Sequence, residues 1–114
     1  MKVEILKEGQ VICRDVLIAD TLVTRLIGLM FKRKLTGAAG LLISPCNSIH
    51  TFFMCYSLDV VFLDGSHTVV KIIRGLKPWR MTWIYFRARQ TLELPAGNLS
   101  GELKVGDVLE VRNV

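Results

Sequence analysis

Apolar and charged residues alternate with the two-residue period of a β-strand at the start of the chain, in Lys2-Val3-Glu4-Ile5-Leu6-Lys7, and β-branched residues dominate again from Gln10 to Ile18. Glu8-Gly9 between the two runs is a turn pair, so residues 3–6 and 10–18 are expected to open the fold as a hairpin. The period then changes. Val23, Leu26, Ile27 and Met30 fall at i, i+3, i+4 and i+7, with Leu22 and Leu29 widening the same face. This spacing predicts a helix capped by Asp20 and ended near Lys32-Arg33-Lys34, where cations favour the negative end of the macrodipole. Beyond Gly37 and Gly40, strands are expected over 41–44, stopped by Pro45, then over 49–54 and 60–63. Asp64-Gly65-Ser66-His67 turns the chain tightly into a strand over 68–74. Residues 75–86 hold Pro78, Trp79 and Trp83 and read as a long, partly ordered excursion; strand character resumes over 90–94 and 108–111.

Many short strands with one principal helix predict an α+β fold: a compact β-rich domain whose mainly antiparallel sheet is strongly curved or barrel-like. The 114 residues make one domain, 1–114, large enough to bury roughly two-thirds of its unfolded surface. Half of the chain is hydrophobic, yet no run approaches the roughly 20 apolar residues of a membrane helix, and no membrane is expected as a partner. The N-terminus lacks the apolar core of a secretory signal, so a cytoplasmic location is expected.

Cys13, Cys46 and Cys55 are odd in number and show no C-x-x-C spacing, which points to buried free thiols rather than a disulfide framework or structural zinc. The net charge of +5 is unevenly spread: no acid lies between Asp64 and Glu93, where Lys71, Arg74, Lys77, Arg80, Arg87 and Arg89 all fall. A one-sided positive field is expected.

Polar groups set among strand-forming residues mark the candidate site. His50 is a general base or ligand partner by its ordinary titration range. A soft-metal site of Cys46, His50, Met54 and Cys55 is disfavoured because His50 and Met54, four apart on a strand, stand about 13 Å from each other; no metal and no cofactor are expected. Asp59, between Leu58 and Val60-Val61, needs an arginine or backbone donors if buried, and Arg25 is one candidate. Asp64 beside Gly65 is turn chemistry. Trp79, Arg80, Trp83, Arg87 and Arg89 interleave rings with cations, as single-stranded nucleic-acid platforms do, although aromatics in a long connection also pin it to a core. No phosphate loop, nucleophile elbow or H-E-x-x-H pattern is present.

Arg25-x-x-Gly28-Leu29-Met30, Gly40-Leu41-Leu42, His50-Thr51-Phe52-Phe53-Met54, Leu58-Asp59-Val60-Val61-Phe62-Leu63-Asp64 and Leu92-Glu93-Leu94-Pro95-Ala96-Gly97, followed by Gly106-Asp107, together resemble domain-of-unknown-function family 192 from about Thr24 to Val111. The resemblance implies a compact β-rich prokaryotic domain with a small helical part, and it brings no established activity. Relatives carry a Phe-Trp-Met-Lys-Asn-Thr pattern where this chain has Phe52-Phe53-Met54-Cys55-Tyr56-Ser57.

The leading expectation is a non-catalytic ligand- or partner-binding module with a pocket bordered by Arg25, His50, Met54, Asp59 and the turn at 95–97. It would take a small ligand or a protein partner, as a monomer or homodimer. The alternatives are single-stranded nucleic-acid binding through Trp79, Arg80, Trp83, Arg87 and Arg89, and a small hydrolase or isomerase using His50 with Asp59 or a cysteine.

Overall fold

The computed structural model describes residues 2–19, 40–51 and 56–113. These form one sheet of seven strands: β1 Lys2–Lys7, β2 Gln10–Ala19, β3 Gly40–Ile43, β4 Leu58–Leu63, β5 Val69–Leu76, β6 Gln90–Pro95 and β7 Glu110–Asn113. Their order across the sheet is β5-β4-β6-β3-β2-β1-β7. Neighbours run antiparallel except β2 and β3, which are parallel.

Turn chemistry sets the two hairpins. Between β1 and β2, Glu8 and Gly9 both take positive φ (52° and 79°), as a two-residue hairpin loop demands. Between β4 and β5, Asp64 Oδ1 accepts the N–H groups of Ser66 and Thr68 at 2.9 Å each. His67 takes φ 63° there.

Every residue of β4 is buried, although its sequence Leu58-Asp59-Val60-Val61-Phe62-Leu63 does not alternate in polarity. At β4 the sheet is covered on both faces, which removes the need for a polar side there. Val61 and Leu63 join Val3, Val16, Leu92 and Leu94 in one core. Leu58, Val60 and Phe62 pack on the other face with Ile49, Tyr85 and Ala88, so two loops, 45–51 and 77–89, lie over that second face. Gly40 admits β3 to the centre of the sheet, since a Cβ there would overlap Leu94 Cδ2 and press on the Glu93 carbonyl. The Cα radius of gyration, 12.6 Å, is close to the roughly 13 Å of a close-packed domain of this length.

Three expectations need correction. The α+β assignment with one principal helix gives way to an all-β sheet: among the described residues there is no helix, and the segment that carried the helical period, 20–34, lies outside them. The sheet is also not a barrel. Its edge strands β5 and β7 do not pair; only the segments leading into them meet, at an isolated bridge of Thr68 with Val108 flanked by Val69 N–H to Asp107 O (2.8 Å) and Leu109 N–H to His67 O (3.0 Å). Closure requires a ladder along the whole seam, and β7, at four residues, is too short to supply it. Finally, 49–51 is not a sheet strand. Its backbone groups pair with the loop at 79–82 instead, through an isolated bridge of His50 with Met81; residues 52–55 of that expected strand are outside the described ones.

Candidate functional site

Residues 77–89 carry no regular strand, yet they are held firmly. Thr51 is wholly buried, and its hydroxyl donates to the Lys77 carbonyl (2.7 Å) while accepting from Arg80 N–H (2.8 Å). Its backbone repeats the grip: Thr51 N–H donates to Arg80 O at 2.8 Å, and Trp79 N–H donates to Thr51 O at 2.9 Å. Thr82 exchanges two bonds with Ile49, its N–H donating to Ile49 O (2.9 Å) and its Oγ1 accepting from Ile49 N–H (3.0 Å). Further on, Tyr85 N–H donates to Asn47 O (2.9 Å) and Arg89 N–H to Leu63 O (2.7 Å). The Tyr85 ring lies 4.7 Å from that of Phe62, tilted by 45°, and anchors the loop in the second core.

With its backbone so committed, the loop turns its other large side chains outward. Trp83 is 83% exposed, Phe86 80%, Met81 70%, Trp79 57% and Ile84 53%. Lys77, Arg80, Arg87 and Arg89 are exposed among them. Trp79 has φ 62°, a left-handed conformation that a bulky residue adopts only when its surroundings impose it; here the bonds to Thr51 on either side impose it. A groove of about 340 Å³ lined by Val70 and residues 84–87 adjoins this surface. A second cleft, of about 350 Å³, is bordered by Pro45, Cys46, Asn47, Ser48, Ala88 and Arg89.

Asp59 is buried and its carboxylate is fully occupied in holding turns. Oδ1 accepts Gly75 N–H at 2.9 Å, and Oδ2 accepts Gly97 N–H at 2.9 Å and Leu99 N–H at 3.3 Å. Asp59 is the register partner of Leu94 and so faces the first core. His50 follows Ile49, which packs on the opposite face. The loop that carries His50 therefore lies over the face of the sheet opposite Asp59. Arg25 and Met54 lie outside the described residues.

Sequence reasoning identified Trp79, Arg80, Trp83, Arg87 and Arg89 but passed over Met81, Ile84 and Phe86, which share the exposed surface. It also passed over Glu93, a buried carboxylate in register with Leu41 and Val60. The signal for Glu93 was present: in β6 it alternates with Leu92 and Leu94, so it belongs to the face opposite theirs.

Burial pushes the Cys13 thiol up to about 11, while the half-buried Cys46 donates its thiol hydrogen to Ser48 O at 3.1 Å. Cys55 is outside the described residues. Asp64 is held below the usual carboxylate range by the N–H groups of Thr68 and Ser66. Among the described residues, no three His, Cys, Asp or Glu side chains converge as a metal site, and no helix is long and apolar enough to cross a membrane.

Residues 3–111 match the family DUF192, described as an uncharacterised ACR. The UPF0127 protein of Pyrococcus horikoshii is 42% identical over 86 residues, which cover 73% of this chain and 74% of that protein. The UPF0127 protein of Pyrococcus abyssi is 39% identical over 100 residues, 82% of each chain. Among solved structures, a protein of unknown function from Novosphingobium aromaticivorans superposes with a TM-score of 0.71 at 20% identity, covering 96% of this chain and 84% of that one. A Sinorhizobium meliloti protein with the provisional description of transcription regulator superposes with a TM-score of 0.69 at 23% identity, covering 96% and 92%. At these identities the likeness shows the fold alone.

Proposed function

We propose that this chain, which belongs to the DUF192 family of uncharacterised proteins, is a non-catalytic binding module whose contact surface is the loop 77–89. One observation carries the reading: five large apolar side chains stand in solvent on a loop whose backbone is anchored by hydrogen bonds at Trp79, Arg80, Thr82, Tyr85 and Arg89. Exposed apolar patches of this kind mark interaction sites, and a loop already fixed loses little conformational entropy when a partner arrives. The surrounding cations add a preference for negative charge. A catalytic reading has less support, because the Asp59 carboxylate already serves three backbone donors.

A photo-reactive amino acid placed at position 83 in living cells tests this. A light-dependent adduct, to a macromolecule or to lipid, is expected from position 83 and none from position 110 on the β7 edge. Equal labelling from both positions, or none from position 83, would remove the loop as the contact surface.

A further inference from the structure

Resting on that reading, we infer that the partner is an anionic lipid surface. Trp79, Met81, Trp83, Ile84 and Phe86 enter the headgroup boundary of a bilayer leaflet, and Lys77, Arg80, Arg87 and Arg89 meet its phosphates. The protein touches the membrane by this edge and does not span it.

The composition of the surface favours lipid. Tryptophan and phenylalanine are side chains of the membrane–water interface, and basic residues beside them are drawn to negative headgroups. Met81 and Ile84 have no ring on which a base could stack, so a single-stranded nucleic acid would use the aromatics and leave these two in water. A bilayer accepts all five. Shape points the same way: side chains exposed by 70% to 83% project as separate knobs. A protein partner would need a matching pocket for each, whereas fluid lipid conforms to any outline.

Charge disfavours a second copy. The loop 77–89 holds four exposed cations, Lys77, Arg80, Arg87 and Arg89, and no acid, so two such surfaces would repel. The same distribution directs the loop towards an anionic leaflet. The left-handed backbone at Trp79 serves to throw that ring outward from the Thr51 anchor.

Trp79 and Trp83 are the only tryptophans in the chain, so intrinsic tryptophan emission reads this surface alone. The test is co-sedimentation and emission with vesicles of phosphatidylcholine, with and without phosphatidylglycerol, and with acyl chains brominated as quenchers. On the anionic vesicles the protein should sediment, its emission should move to shorter wavelength, and brominated lipid should quench it. Both sites being exposed, F86S on its own and paired with W83S should fold normally; the pair should weaken sedimentation at least about tenfold, through lost apolar insertion. R80Q with R87Q should weaken it roughly fivefold per cation on anionic vesicles and leave binding to phosphatidylcholine alone unchanged.

Unmoved emission on anionic vesicles, or sedimentation untouched by the W83S/F86S pair, overturns the lipid assignment. So does an oligothymidine strand that shifts the emission when vesicles do not. If position 83 still gives a discrete cross-link in cells while vesicles are ignored, the binding module stands and lipid is excluded. If both fail, both readings fall.

Discussion

Asp59 shows how one side chain can hold distant segments. Its carboxylate takes backbone N–H groups from Gly75, at the end of β5, and from Gly97 and Leu99, beyond β6. Asp59→Ala leaves three poorly hydrated donors without an acceptor and is expected to destabilise by about 3–5 kcal/mol. A urea unfolding midpoint that barely moves would show that the carboxylate is not the lock. The thiols offer a second residue-scale check. Thiolate is the reactive form, and Cys13 is buried with its titration raised to about 11, so alkylation at mildly alkaline pH, mapped by peptide mass, should mark Cys46 well before Cys13. The sequence shows that Asp59, if buried, needs an arginine or backbone donors, and of the thiols it expects to be buried Cys13 is buried and Cys46 half-buried. It could not say which groups served Asp59, because those donors lie 16 to 40 residues away along the chain.

At the scale of elements, the loop 77–89 depends on a few bonds to 47–51, with Thr51 contributing most. Thr51→Val keeps the volume but leaves the Lys77 carbonyl and the Arg80 N–H without their hydroxyl partner, at a cost of about 1–3 kcal/mol. Hydrogen exchange should then quicken at Trp79, Arg80 and Thr82 while the amides of β4 and β6 keep their protection. Uniform acceleration across the sheet would instead mean that Thr51 supports the global fold rather than the loop. Strand periodicity and the Asp64 turn were readable from local sequence, since both arise between residues within a few positions of one another. The pairing of 49–51 with 79–82 was not readable, because the β-branched and aromatic content of that segment suits a sheet strand equally well.

The whole molecule is drawn together where the segment leading into β7 reaches the start of β5, and this corner depends on charge. Asp107 is held below its ordinary value of 3.8, first by the Lys104 N–H and then by the Lys7 ammonium. Lys7 is raised above 10.5, chiefly by its hydrogen bond to Asp107. The lowered acid contributes stability that is present above pH 3.8 and lost as pH falls through its folded value. The raised lysine contributes stability present below pH 10.5 and lost as pH rises through its own folded value. Urea unfolding across pH should therefore give a constant gap between wild type and Asp107→Asn through the neutral range, closing on the acid side; a gap that persists in strong acid would rule the carboxylate out. Most strand positions, the two tight hairpins, the cationic middle of the chain and the family likeness were determined by the sequence alone, because period and turn chemistry act over a few residues. Tertiary structure alone decided the covering of both faces of β4, the parallel pairing of β2 with β3, and the separation of Asp59 from the His50 segment. It also decided which rings of the 77–89 loop pack inward and which meet solvent: Tyr85 reaches Phe62, while Trp79, Trp83 and Phe86 stand more than half exposed. Burial is settled by which distant segments cover a side chain, and hydrophobicity along the chain does not encode that.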